Sequence, residues 1–271
     1  MIKVQKDFDT IPNILSSKPQ RGESREGVFL ENIQAKAYID EKNRYKVGSV
    51  QKRLNQIYNL KCAYCEKKLL DSSKHIEHYR PKSGGYYWLA YSWDNLLLCC
   101  NECNSAKGNR FQVQKVQVNY KNEAFEDIHT LGKEYDKLEE PMIINPEKED
   151  ILSHIAFTKQ GFIYSKHPRV KHTIFKACNL NRDELLKLRV EVLNDFKNQI
   201  DEHFNLYTKY GDITRFMPTI KLFMQETITE NKFYAFRYFI LHNIKRFFSE
   251  KPKQLIIQSL IIKLSQKETQ N

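Results

Sequence analysis

The clearest repeat of apolar positions lies between Ile39 and Leu60, where Val47, Val50, Leu54, Ile57 and Tyr58 recur at spacings of three and four and predict a helix. A longer stripe follows Asn181, through Leu185, Leu188, Val192, Phe196, Ile200 and Phe204, with Asn181 as the expected N-cap and Tyr210-Gly211 as the stop. Further helices are predicted at Pro218 to Ile228, Lys232 to Phe248 and Gln254 to Leu264. Phe233, Tyr234, Phe236, Tyr238, Phe239, Phe247 and Phe248 crowd the second of these beyond what one face buries; core packing is the first expectation and a partner-docking surface the second. Between the stripes, Met142 to Ile144 is a strand candidate, and IAFT and FIYS flank Gln160-Gly161 as a hairpin. Residues 1 to about 35 have no period and read as loop around Lys18-Pro19, and the Lys-, Gln- and Asn-rich stretch ending near Lys137 reads as a mobile connection.

Composition changes this picture little: 41% apolar and 12% aromatic residues among 271, with 9 Gly and 8 Pro, make a folded chain for which two domains are expected. Charge changes it more. The net +11 is concentrated, with eleven Lys or Arg against three Asp or Glu between Lys42 and Lys82, which favours a nucleic-acid partner because neutralised phosphates release counterions. A solvated basic face is the competing reading. The N-terminus lacks a signal-peptide pattern, and the longest apolar run, Leu255 to Leu264, is short of a membrane span and carries Gln258 and Lys263. No membrane association and a cytoplasmic location are therefore expected. In a reducing compartment the six cysteines read first as metal ligands.

Cys62-Ala63-Tyr64-Cys65 and Cys100-Asn101-Glu102-Cys103 are two C-x2-C pairs separated by 34 residues. Each pair suits a tight turn aiming both sulfurs at one ion, and together they make a closed, structural Zn²⁺ site. The separation exceeds that of a simple zinc ribbon and leaves room for another element between the knuckles. Cys99 competes with Cys100 for the register; the spacing favours Cys100. Cys178 is expected to be buried and inert.

Between and just after the knuckles stand His75-Ile76-Glu77-His78-Tyr79-Arg80-Pro81-Lys82, then Trp93-Asp94-Asn95 before three leucines, then Asn104 and Lys107. This arrangement resembles the HNH (ββα-metal) nuclease motif, in which an acid–His pair, a middle Asn before an apolar strand and a His or Asn on the following helix surround one divalent ion. More narrowly, CAYCEKKL, HIEHYRPKSGG, YYWLAYSWDNLLLCCNECNSAKGNRF, EEPMIINP and Leu180-Asn181-Arg182 resemble the PtuB-like HNH endonucleases of Septu and retron anti-phage systems, over roughly residues 30 to 200. Two departures stand out: Gln112 follows Arg110-Phe111 where Pro is expected, and Asn104 stands where many members of that family carry His.

Phosphodiester hydrolysis needs a base for water and a cation for the phosphate and leaving oxygen. A neutral imidazole near its ordinary pKa of about 6.5 suits the first task and assigns His78 as general base. The resemblance implies that Glu77 and Asn104 hold the divalent ion, for which hard oxygens favour Mg²⁺ or Mn²⁺, and that Asn95 braces the loop orienting His78. Strand alternation puts Glu77 on the opposite face from His78 unless the strand twists. Arg80, Lys82 and Lys107 are candidates for nucleic-acid backbone phosphate, with plain solvated charge as the alternative. His75 is expected to be structural.

The expected fold is α+β: a zinc-pinned ββα nuclease module, a small β-hairpin unit and a mainly helical C-terminal part, divided as a 1–35 extension, a 36–137 nuclease module and a 138–271 remainder. The expected function is HNH cleavage of DNA as the effector of a bacterial anti-phage system. The resemblance implies a Septu-type AAA/ABC-like ATPase as partner and, in a retron setting, a reverse transcriptase with its RNA-linked DNA. An RNA nuclease acting on, for example, transfer RNA, and a zinc module that binds nucleic acid without cutting it, stay open.

Overall fold

The computed structural model describes residues 1, 3–16, 24–70, 74–213 and 216–268, arranged in two compact units, Met1–Ile155 with Ser165–Leu180 and Ala156–Tyr164 with Asn181–Asn271. The Lys18-Pro19 loop lies outside the described residues.

The first unit opens with a helix that the periodicity does not reveal, Glu26–Ala35 (α1). It buries only Phe29 and Asn32, with Phe29 packed against Phe125 at 5.4 Å between ring centroids, so it presents no apolar stripe to read. The helix expected from Ile39 is confined to Gly48–Ile57 (α2), which buries Val50 and Leu54 as the pattern requires. Upstream, the Asp40 carboxylate accepts from the Arg44 backbone N–H at 2.6 Å and the Tyr91 hydroxyl at 2.6 Å. Side-chain capture of the backbone starts a 3-10 turn at Arg44–Lys46 instead of a helix.

Lys74–His78 (β1) and Leu96–Cys100 (β2) then pair antiparallel, with His78 opposite Leu96 and His75 opposite Cys99. All five residues of β2 are buried, which is why it reads as an unbroken apolar run. It passes directly into Asn101–Lys107 (α3), completing a ββα element. The stretch expected to be a mobile connection holds Gly132–Glu139 (α4). Gly132 is required there: its N–H donates to Asp94 Oδ2 at 2.6 Å, and a Cβ would meet that oxygen at 2.3 Å. Met142 to Ile144 is not a strand. Only a bridge between Val113 and Pro141 forms beside it, and the Ile144 N–H donates to Thr173 Oγ1 at 2.9 Å, so no ladder is present. Pro168–His172 (α5) and a π turn at Thr173–Ala177 close the unit.

The domain boundaries expected near residues 35 and 137 are not those of the fold. Lys6 donates its buried ammonium to the Trp93 and Leu96 carbonyls at 2.8 and 2.6 Å and pairs with Glu147 at 2.8 Å, so the N-terminal segment is part of the first unit. Glu139 and Ile143 likewise bind Arg80 and Tyr79.

The second unit contains the expected hairpin, Ala156–Phe157 (β3) against Ile163–Tyr164 (β4), followed by Asp183–Tyr210 (α6), Met217–Glu226 (α7), Tyr234–His242 (α8), Ile244–Phe247 (α9) and Glu250–Glu268 (α10). Gly211 ends α6 with φ of 71°, as expected, but Asn181 is not its N-cap. The Asn181 amide instead brackets Ile163, accepting from its N–H and donating to its carbonyl, both at 2.8 Å. The predicted 232–248 helix breaks at Asn243, and its aromatics serve the core: Phe233, Phe236 and Phe247 are buried, and Phe236 meets Phe157 at 5.0 Å.

Candidate active site

The four sulfurs of Cys62, Cys65, Cys100 and Cys103 are buried and lie within 4.8 Å of one another. The first pair sits on a turn closed by the Cys62 N–H donating to Lys67 O at 3.0 Å and tied to β2 by the Ala63 N–H donating to Leu98 O at 2.8 Å. The second straddles the strand-to-helix junction, where Cys100 caps α3 by accepting the Cys103 N–H at 3.4 Å. Cys99 lies 3.6 Å from the Cys62 sulfur, yet the group converging on one centre contains Cys100. Hydrogen bonding, first of all from Cys103, holds the Cys100 thiol well below the ordinary range, whereas the Cys65, Cys99 and Cys103 thiols are all pushed up. Cys65 and Cys100 sulfurs stand 3.8 Å apart, close to the separation of about 3.8 Å that a tetrahedron with metal–sulfur bonds of about 2.3 Å requires. The all-sulfur donor set fits structural zinc. Cys178 is buried outside this group.

At the end of β1 the His78 side chain is buried, with Nε2 at 3.0 Å from the Ala90 carbonyl oxygen. A carbonyl only accepts, so Nε2 carries the hydrogen and Nδ1 is left as the acceptor. The Tyr45 ring stands edge-on to the imidazole at 4.5 Å. The expectation of an ordinary imidazole pKa is corrected: burial, aided by the charges of Lys82, Lys107 and Lys46, pushes it down to about 3 against the opposing Ala90 bond. His78 is therefore neutral at physiological pH. His75, Glu77, His78 and Asn104 border one cleft of about 180 Å³, together with Tyr45 and Lys82. β1 keeps its regular register through Glu77 and His78; the Glu77 carboxylate turns to Lys107 and the His78 ring to Ala90, and both residues border the cleft. Asn104 is partly exposed, and its amide has no partner among the described residues.

Asn95 contributes from behind. Its Oδ1 accepts the Arg80 N–H at 2.7 Å, and its Nδ2 donates to the Arg80 and Leu89 carbonyls at 3.0 and 3.1 Å. These bonds clamp both ends of the loop that presents Ala90 to His78.

Two charged residues are not where the sequence suggested. Arg80 is buried and held by Glu139 at 2.8 Å and Asp136 at 2.7 Å, and Lys107 is fully buried, donating to the His78 carbonyl at 2.8 Å and pairing with Glu77 at 2.6 Å. Neither can lie against a phosphate backbone. Glu77 is thus neutralised by Lys107, although burial, the larger influence, raises its carboxyl. Lys82 is half-buried at the cleft, with its ammonium 3.5 Å from the Tyr38 ring centroid. Tyr45, Lys46 and the Ala90 carbonyl escape sequence reading: the first two lie in a 3-10 turn outside any motif, and a carbonyl carries no side-chain signal.

The HNH endonuclease family model matches residues 62–110. That segment is similar to HNH endonuclease domains. The match spans both cysteine pairs and all of His78, Asn95 and Asn104, but excludes Lys6, Tyr45 and Lys46. Among relatives, Septu protein PtuB of Bacillus mycoides (strain KBAB4) is 36% identical over 168 residues, 56% of this chain and 54% of that protein. Septu protein PtuA of the same strain is 29% identical over 163 residues, covering 55% of this chain and 21% of that protein. A Vibrio cholerae protein described as an HNH endonuclease of retron Vc95 is 24% identical over 178 residues, 60% of this chain and 76% of that protein. The chain thus spans about half of that PtuB and about a fifth of that PtuA. No helix among the described residues is long and apolar enough to cross a membrane.

Proposed function

We propose that this chain is a metal-dependent endonuclease that hydrolyses phosphodiester bonds in DNA. The observation that carries the reading is His78 itself: a neutral imidazole with a fixed tautomer, bordering the same cleft as a carboxylate and an unpartnered amide. His78 Nδ1 takes a proton from the attacking water, and the Nε2–H bond to Ala90 steadies the imidazolium that forms. The negative charge of an arriving phosphate opposes the effects of burial and of the surrounding lysines, raising the imidazole's basicity where it is needed. Glu77 and Asn104 offer hard oxygens that fit Mg²⁺ or Mn²⁺, which would supply charge neutralisation on the phosphate and leaving oxygen. With one Glu77 oxygen committed to Lys107 the protein's set is small, so solvent and substrate oxygens must complete it. The four-cysteine site takes Zn²⁺ and holds the strand pair to α3.

The likeness to Septu proteins supports a role as effector subunit in anti-phage defence, working with a Septu-type AAA/ABC-like ATPase. The retron relative supports a variant of this assembly that includes a reverse transcriptase and its RNA-linked DNA. The test is cleavage of labelled DNA and RNA side by side, with Mg²⁺ or Mn²⁺, by wild type and His78→Ala. Loss of DNA cleavage with binding retained is expected. Cleavage of RNA alone would move the substrate, and undiminished cleavage or biological activity in His78→Ala would leave a non-catalytic binding module.

A further inference from the structure

Two ammonium groups border the cleft from different segments of the chain. Lys46 ends the 3-10 turn after Asn43, and Lys82 begins the turn after Pro81. Both come within 6 Å of one ring: their nitrogens lie 5.8 and 5.6 Å from the Tyr45 centroid, and that ring in turn meets His78 at 4.5 Å. Neither ammonium has a carboxylate partner among the described residues. The acids nearby are engaged elsewhere, Glu77 with Lys107 and Asp40 with Arg44 and Tyr91. Like charges gathered at a narrow opening repel one another. Burial, and after it the charge of Lys46, lowers the proton affinity of Lys82 against the opposing charge of Asp40. An anion resting between them would relieve this.

We infer that Lys46 and Lys82, bordering the same cleft as Glu77 and Asn104, form one shared seat for a backbone phosphate of the nucleic acid that works without a divalent ion. The identity of the anion rests on the nuclease reading. The seat contacts phosphate and neither base nor sugar, so it holds DNA and RNA alike and fixes the strand's position beside His78 without selecting sequence. Tyr38 and Tyr45 supply the aromatic faces that keep the ammonium groups at the opening.

A shared seat has a numerical signature. One neutralised phosphate contributes about 0.9 to the slope of log affinity against log salt on duplex DNA, however many lysines touch it. We would measure binding of a fluorescein-labelled DNA duplex by the full chain, without added divalent ion, across a salt series. The variants are Lys46→Gln, Lys82→Gln, the pair, and Lys46→Arg, with the exposed Lys166→Gln as a control for net charge. Each single Gln variant should weaken binding several-fold, Lys46→Arg should recover most of it, and the double variant should lower the slope by about one rather than two. Zinc content and melting temperature of Lys46→Gln should match wild type, because that side chain is exposed. Affinities equal to the Lys166→Gln control would overturn the seat, and so would a double variant whose slope falls by two with simply additive losses. The binding assay needs no cleavage, so failure of the nuclease reading shows separately, as unchanged cleavage in His78→Ala.

Discussion

His78 Nε2 lies 3.0 Å from the Ala90 carbonyl oxygen, and Asn95 grips the carbonyl of Leu89, one residue earlier, at 3.1 Å. The imidazole is therefore oriented by hydrogen bonds through a loop that Asn95 holds at both ends.

Replacing Asn95 should separate orientation from binding. Asn95→Ala leaves the Arg80 N–H and the Arg80 and Leu89 carbonyls without their partner in a buried setting, at about 1–3 kcal/mol of stability. Cleavage turnover should fall by roughly ten- to a hundred-fold, in proportion to the loss of a fixed reacting geometry. KM and zinc content should stay near wild type. Steady-state kinetics and thermal unfolding test this; a raised KM with normal turnover would contradict the bracing role.

Lys107 should behave as an internal cation. Removing it strands Glu77 in a site that gives the carboxylate no other described ion pair, and breaking such a pair costs about 3–5 kcal/mol. Lys107→Met should lower the melting temperature strongly, and Lys107→Met with Glu77→Gln should recover part of that loss. The salt slope of DNA binding should be unchanged in the double variant. A slope reduced by one would restore Lys107 to the phosphate contacts.

The contrast between Lys107 and His78 shows how much of the site could be read in advance. The cysteine pairs, His78, Asn95 and Asn104 are short-range patterns whose chemistry depends on residue type and spacing. The hairpin at Gln160-Gly161 and the stop at Gly211 are equally local. Arg80 and Lys107 carry the same charge as Lys82 in sequence, but their burial is decided by Asp136 and Glu139 on an unforeseen helix and by Glu77 across the strand-to-helix packing. Lys6 meets Trp93 at a separation of 87 residues, which no window along the chain can detect. Long-range pairing of polar groups, more than hydrophobic pattern, set the limit.

His129 should make stability depend on pH. Its Nδ1 accepts the Trp93 backbone N–H at 3.1 Å and its Nε2 faces the Leu15 carbonyl at 2.9 Å, so only the neutral ring with hydrogen on Nε2 satisfies both. Burial lowers its pKa below the ordinary value. The unfolded chain then binds the proton first as pH falls below about 6.5, and the folded state loses up to about 1.4 kcal/mol per pH unit from this group until it too is protonated. Denaturant unfolding between neutral and mildly acidic pH should show a shallower loss in His129→Gln than in wild type, with the contribution of His78 common to both. Parallel curves would remove His129 from the account.

The cysteine cluster makes the sharpest division between neighbouring residues. Cys100 belongs to the converging four and caps α3, whereas Cys99 stands one position away on β2 opposite His75. Cys100→Ala should lose zinc and, with it, the link between the first knuckle and the strand-to-helix junction, so that His78 loses its setting and cleavage disappears. Cys99→Ala should keep one zinc per chain and most activity, at the cost of a small cavity worth roughly 1 kcal/mol. Because apparent binding free energies of structural zinc in small zinc-finger peptides reach about 10–16 kcal/mol, a zinc chelator should lower the melting temperature of wild type steeply, and Zn²⁺ but not Mg²⁺ should restore it. Metal analysis of both variants settles the register: zinc retained in Cys100→Ala and lost in Cys99→Ala would shift the site by one residue and turn α3, with Asn104, away from the geometry described above.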